Sequence, residues 1–199
     1  MNSFDALLRA NPPSDADLRR LHARLEDDAA REGLLEVGYR TVDTPVGNLM
    51  LAATPRGLVR IAYASEGHDG VLQTLAERIS PRVLHAPRRL DPVARELDEY
   101  FAGQRRSFDL PLDWRLSAGF RRAVLTRLPT IDYGHTASYG TIAALAGNPK
   151  AVRAVGTACA TNPLPVVVPC HRVIRADGSI GRYLGGPAAK QTLLDLEAA

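Results

Sequence analysis

Four consecutive residues, Pro169-Cys170-His171-Arg172, constrain this chain more than any other stretch of its 199 residues. A proline directly before the cysteine removes a backbone donor and restricts Val168 to extended geometry. The apolar run Val166-Val167-Val168 is therefore predicted to be a short buried strand that stops where the thiol begins. A thiol at a strand end, in a bend, is where a protein displays a nucleophile. Taken alone, a cysteine after a valine run is more often a small buried hydrophobe. His171 and Arg172 shift that balance, because both are poor core residues and both lie beside the thiol. Adjacent strand residues point to opposite faces, so Cys170 and His171 interact only if the backbone bends there or a water bridges them.

The thiolate is the nucleophilic form, and a cysteine ordinarily titrates above neutral pH, so a base is needed. His171 can serve through a water, and a base needs an orienting acid. Glu197 is the candidate: it lies three and four residues after Leu194 and Leu193 and shares their helical face. Its place two residues from the end of the sequence by itself favours a solvated, fraying side chain.

Upstream, turn and capping signals divide the chain. Ser14, with Asp17 at the third helical position, predicts a helix over 14–33, striped by Leu18, Leu21 and Leu25 and ended by Gly33. Residues 39–43, 49–53 and 58–63 read as strands of a small antiparallel sheet, and 71–79 and 93–101 as helices. This makes an α/β N-terminal domain with no visible chemistry of its own, best read as a scaffold.

The second half is predicted to be mostly helical. Residues 120–128 are amphipathic, and Ser138 can cap a helix through 146, closed by Gly147. Asn148 then caps a second helix with Pro149 at its first position, running from 150 to about 160. Two helices joined by a three-residue turn containing Gly resemble a helix-turn-helix. The second helix is rich in small residues, which admit either a neighbouring helix or a DNA groove. Arg153, a lone long cation one turn after Lys150, favours the groove. Pro187 can open a last helix after Gly185-Gly186.

Charge is segregated along the chain. The net charge is +3, yet residues 115–190 hold ten Lys/Arg against two Asp/Glu, a net of +8, and the remainder carries −5. A positive half suits a phosphate backbone. Two cysteines, Cys159 and Cys170, provide no disulfide framework and suggest a reducing compartment. No apolar run approaches the ~20 residues of a membrane span. No basic segment followed by an apolar one opens the chain. A cytoplasmic protein with no membrane partner is expected. Without C-x-x-C or H-x-x-x-H spacing, no metal site is expected either.

Asn162-Pro163, the run 166–174 around Pro-Cys-His-Arg, Gly181-Arg182-Tyr183-Leu184-Gly185-Gly186, Lys190 and 193–197 closely resemble the O6-alkylguanine-DNA alkyltransferases, also called methylated-DNA–protein-cysteine methyltransferases. The resemblance is strong from about Phe120 to Glu197, weaker over 39–113 and absent from roughly the first 35 residues. It implies an α/β domain at 37–113 and a mostly helical DNA-binding and alkyl-acceptor domain at 114–199 with a helix-turn-helix and an active-site loop, and the helix read at 14–33 makes 1–36 a helical extension outside the match. It implies a DNA repair protein that flips O6-alkylguanine out of the duplex and transfers the alkyl group irreversibly to Cys170, once per molecule and without a cofactor. His171 becomes the water-linked base, Glu197 its orienting carboxylate, and Asn162 the structural hinge between recognition helix and active site.

The same resemblance makes Arg153 the finger that fills the space of the flipped base. Tyr139 becomes the residue that crowds the target's 3′ phosphate, with Lys150 and Ala151 as further DNA contacts. Tyr183 becomes the donor to the guanine ring, and the carbonyls of Cys170 and Val173 acceptors for its exocyclic amine. The partner implied is double-stranded DNA entered by the minor groove, with O4-alkylthymine as a second lesion, and the protein is a monomer. Leu184 departs from the pattern: members often carry a small or hydroxylated residue there, so only a backbone N–H remains as donor.

The competing readings are a non-catalytic alkylated-DNA binder, which lacks the acceptor cysteine, and a helix-turn-helix regulator, for which only 1–33 could supply a dimerisation segment. In a papain-like hydrolase the cysteine and histidine lie far apart in sequence; here they are adjacent.

Overall fold

The structure is a computed structural model that describes residues 14–198. The part of the N-terminal extension before Ser14, including any leader, lies outside the described residues. Helix α1 (Asp15–Arg31) opens with the capping box read from its sequence. Ser14 Oγ accepts from the Asp17 N–H at 3.2 Å, and the Asp17 carboxylate accepts from the Ser14 N–H at 3.3 Å. Gly33, at φ +66°, ends it. The leucine stripe does not dock among the described residues: Leu18, Leu21 and Leu25 are each about half exposed, at 50%, 56% and 52%. The helix is held by its other side, where Arg88 donates to the Ala23 carbonyl, to Asp27 and to the buried Glu26.

Strands β1 (Val37–Thr44), β2 (Gly47–Thr54) and β3 (Gly57–Tyr63) form the antiparallel meander that the turn signals mark. The sheet is nevertheless mixed, because β4 (Val83–His85) adds to β1 in parallel and gives the order β3-β2-β1-β4. Three residues flanked by Pro81 and Pro87 are too few to show an alternating pattern. Helix α2 (His68–Arg78) covers one face, packing Leu75 with Met50, Ala52, Val59 and Ala62. The opposite face, carrying Leu49, Leu51 and Ile61, joins α3 (Asp91–Phe101) and the C-terminal half in one core. The sheet is thus buried on both sides, and this sets β3 hard against the acceptor domain.

Four helices build that domain: α4 (Gly119–Leu125), α5 (Tyr139–Leu145), α6 (Val152–Ala160) and α7 (Gly186–Ala198). Helix α4 stops before the predicted 128, and a 3₁₀ turn over Leu128–Thr130 follows, where Pro129 cannot donate to the preceding turn. The connection between α5 and α6 is longer than three residues. The Ala151 N–H donates to the Asn148 carbonyl at 3.0 Å, so 148–151 closes as a turn, Ala151 takes the N-cap position and Asn148 does not. Lys150 and Ala151 therefore precede the recognition helix instead of lying on it.

Val166-Val167-Val168 is buried but is not a strand. Val166 sits at φ +72°, a left-handed conformation costly for a β-branched residue. Prolines at 163, 165 and 169 remove the donors a ladder would need, and the segment winds as successive turns. Among the described residues no helix is long and apolar enough to cross a membrane.

Candidate active site

The backbone does bend at the thiol. Cys170, His171 and Arg172 form a 3₁₀ turn, and all three are buried. Asn162, directly after α6, holds this turn from below and is itself fully buried. Its amide nitrogen donates to the Val168 carbonyl at 2.9 Å and to Cys170 Sγ at 3.2 Å, while its oxygen accepts from the Leu164 N–H at 3.0 Å. One side chain thus fixes both ends of the proline-rich loop and contacts the sulfur. Burial pushes the Cys170 thiol up to about 11, against the pull of the Asn162 N–H and the Lys190 charge, so at neutral pH the resting group is the neutral thiol.

His171 Nε2 meets Glu197 Oε1 at 2.9 Å, and both groups are buried. Its other ring nitrogen, Nδ1, has no partner. Burial lowers the imidazole's pKa despite the Glu197 carboxylate, so the ring is neutral and Nδ1 is an open position for a proton. Glu197 is not the fraying residue its position suggests. Arg172 clamps both oxygens, through Nε at 2.8 Å and Nη2 at 2.9 Å, and Tyr100 donates from α3 at 2.6 Å. Burial alone would raise the Glu197 carboxyl; the bonds from His171 and Arg172 outweigh it and hold it at about 2. Tyr100 carries no periodic or motif signal for this role; Arg172 lies in the Pro-Cys-His-Arg motif, but nothing in its spacing from Glu197 announces the clamp.

Lys190, named above only as part of the resemblance, also takes a place at the site. It is fully buried on α7, and its ammonium donates to the Val173 carbonyl at 2.5 Å. Burial lowers its pKa, while the Cys170 and Cys159 thiols pull the other way. Val173 itself opens a two-residue strand, β6 (Val173–Ile174), paired in parallel with β5 (Ala137–Ser138).

Tyr183 is buried, with its ring edge-on to His171 at 6.3 Å between centroids. Its hydroxyl lies 3.0 Å from that of Tyr63, at the end of β3. The N-terminal sheet thereby reaches the surroundings of Cys170, a contact with no sequence signal. A Cβ on Gly185 would fall 2.4 Å from the Tyr63 ring, so only glycine fits this approach. Leu184 points elsewhere, into a cleft between the two domains with Arg60 and Thr161.

Tyr139, at the start of α5, and Arg153, on α6, line one cleft of about 410 Å³ with Gly156, Arg175, Gly181 and Arg182. The Tyr139 hydroxyl packs so closely on Gly181 that a Cβ there would stand 2.2 Å away. Arg153 is exposed, and its side chain has no partner among the described residues. Lys150, exposed, and Ala151, half-buried, do not line this cleft. The site is thus a neutral thiol beside a neutral imidazole and an anchored carboxylate, sited near a basic groove: an arrangement for accepting an electrophilic carbon.

Comparisons with known proteins show which family the chain belongs to. Residues 37–114 match the ribonuclease-like domain, and 119–199 the DNA binding domain, of 6-O-methylguanine DNA methyltransferase. The chain is 43% identical over 161 residues to the methylated-DNA–protein-cysteine methyltransferase of Mycolicibacterium paratuberculosis, covering 81% of this chain and 92% of that protein. It is 39% identical to the mouse protein of the same name, covering 78% and 79%. The crystal structure of Mycobacterium tuberculosis O6-methylguanine methyltransferase superposes with a TM-score of 0.72 at 38% identity, over 81% of this chain and 93% of that one. A complex of the M. tuberculosis protein with DNA gives 0.69, over 81% and 92%. With both halves of one family matched in order, and a relative well above a third identical over most of its length, the chain belongs to the 6-O-methylguanine DNA methyltransferase family.

Proposed function

We propose that this protein repairs DNA by moving an alkyl group from O6 of guanine onto Cys170, once per molecule. The observation that carries the reading is the buried thiol held by Asn162 beside the His171–Glu197 pair. The Cys170 sulfur attacks the alkyl carbon, an S–C bond forms and the C–O6 bond breaks. The thiol proton passes by way of a water toward the open Nδ1 of His171, and guanine leaves as its anion, which takes up a proton at N1 to become the unalkylated base. A thioether is a poor leaving group, so the protein is spent.

The alkyl group on O6 is out of reach inside a stacked duplex, so the nucleotide must rotate outward. Entry by the minor groove, with Arg153 filling the vacated stack and Tyr139 crowding the neighbouring phosphate, fits the basic cleft they share. Tyr183 and the Val173 carbonyl form the walls of the base pocket, and O6-alkylguanine is the preferred lesion of a monomeric protein. The division at 37–113 and 114–199, after an extension at 1–36, is supported by the positions of the two family matches.

Duplex DNA carrying labelled O6-methylguanine tests the reading. Label should move stoichiometrically to the peptide containing Cys170, and Cys170→Ser should bind the same DNA without accepting label, because serine's hydroxyl is far less acidic. Retention of DNA without transfer by the unmodified protein would instead mark a non-catalytic binder.

A further inference from the structure

A second cleft, of about 270 Å³, lies between the two domains and lies beside the first. Ala160, at the end of α6, lines both. Three arginines from three separate elements border it: Arg60 on β3, Arg78 at the end of α2 and Arg121 on α4. The one carboxylate in its lining, Glu66, is consumed, since it pairs with Arg60 and accepts from the Tyr63 N–H at 2.9 Å. Arg121 donates to the Leu116 carbonyl, and both residues line the cleft. Arg78 is exposed and has neither an ion pair nor a hydrogen bond among the described residues. Thr161, also exposed, forms the rim on the α6 side.

We infer that the DNA footprint of this protein extends past α6 onto its N-terminal domain, with the phosphodiester backbone crossing this cleft at Arg78 and Arg121. The inference rests on the proposed binding of duplex DNA by the Arg153 groove. That groove carries Arg153, Arg175 and Arg182 and no carboxylate in its lining. Joined at Ala160, the two clefts make one positive track around the C-terminal half of α6. The phosphate backbone is a continuous line of negative charge and follows such a track. Guanidinium is the side chain whose fork matches a phosphate bidentately. An exposed arginine left without a protein partner at the rim of a cleft is placed for an external anion, whereas Arg60, already paired, serves the fold.

Salt-dependent binding of an undamaged duplex separates this contact from overall charge. Each phosphate contact contributes about 0.9 to the slope of log K against log salt, read between about 50 and 200 mM. Arg78→Ala should reduce the slope by about one and weaken binding severalfold, and Arg78→Glu should weaken it further. Arg95→Ala, at an exposed position of α3 and in neither cleft, should leave the slope unchanged. All three variants should alkylate normally with free O6-benzylguanine, which needs no DNA.

An unchanged slope in Arg78→Ala overturns the inference, and so does an equal fall in Arg95→Ala, which would mean that only total charge matters. Inorganic phosphate that raises the melting temperature of the unmodified protein but not of Arg78→Ala, with the DNA slope unaltered, would make the cleft a small-anion site and overturn it too. If the unmodified protein shows no salt-dependent DNA binding at all, the underlying DNA reading fails as well, and that result is distinct from the others.

Discussion

At the scale of single residues, the site is organised around where one proton rests. The Cys170 thiol is pushed up to about 11 by burial, and burial keeps His171 neutral. The proton therefore starts on sulfur, and in the proposed reaction it moves through a bridging water to Nδ1. Alkylation by free O6-benzylguanine should be nearly independent of pH between about 7 and 9, because such an internal transfer changes no net protonation. In His171→Gln the proton must go to solvent, so the rate should fall and then climb about tenfold per pH unit. A flat profile in the variant would remove His171 from the proton path. Glu197 gives a second test. Its carboxyl is held at about 2, below its usual 4.5, so its contribution to stability is complete above the usual value and disappears as pH falls through about 2. At neutral pH that contribution is roughly 3 kcal/mol. Glu197→Gln leaves Arg172 buried without its counter-charge and should cost about 3–5 kcal/mol in urea unfolding at pH 7, with the gap to the parent protein narrowing toward pH 2. Cys170 and His171 are legible from their own neighbours in sequence. Glu197 is legible only through resemblance, because its partners Tyr100 and Arg172 arrive from α3 and from the loop, far from it in sequence.

At the scale of elements, local signals succeed where the physics is local. The α1 cap and the hairpin turns depend on residues within four positions of one another, and they stand as read. The valine run misleads because its alternative partner is a side chain: Asn162 satisfies the Leu164 N–H and the Val168 carbonyl, and a turn replaces the strand. The start of α6 misleads because Asn148, a good cap residue, spends its backbone carbonyl closing the 148–151 turn. Moving that start leaves Lys150 outside the helix and makes Arg153, in its first turn, the leading cation of the recognition helix. Arg153→Ala should consequently cut repair of duplex DNA by at least about tenfold while changing reaction with a free modified base by less than about twofold, since a free base needs no extrusion. Single-turnover rates on both substrates measure this; equal losses would assign Arg153 to chemistry or folding.

At the scale of the whole molecule, the two domains meet in one core, and the contact with most consequence is Tyr63 on Tyr183. Tyr63→Phe and Tyr183→Phe should each cost about 1 kcal/mol, and the double variant should cost less than their sum by a similar amount, because either change already breaks the shared hydrogen bond. Strict additivity in urea unfolding would show that the hydroxyls do not couple. The N-terminal helix stands in contrast. It touches the sheet domain through Arg88, Glu26 and the His22–His85 contact, all on the side of β4. It contributes nothing to the lining of the Arg153 cleft or to the hydrogen bonds around Cys170. Arg88 is half exposed, so its ion pairs with Glu26 and Asp27 weigh little, and most of the helix's attachment is modest packing. Deleting 1–33 should therefore leave the single-turnover rate on free O6-benzylguanine within about twofold of the parent. A loss of about 1–2 kcal/mol from the severed contacts should lower the melting temperature by about 2–8 °C. A large fall in rate at an unchanged melting temperature would mean that the extension supports the acceptor site, and that the boundary drawn at residue 36 divides a functional unit.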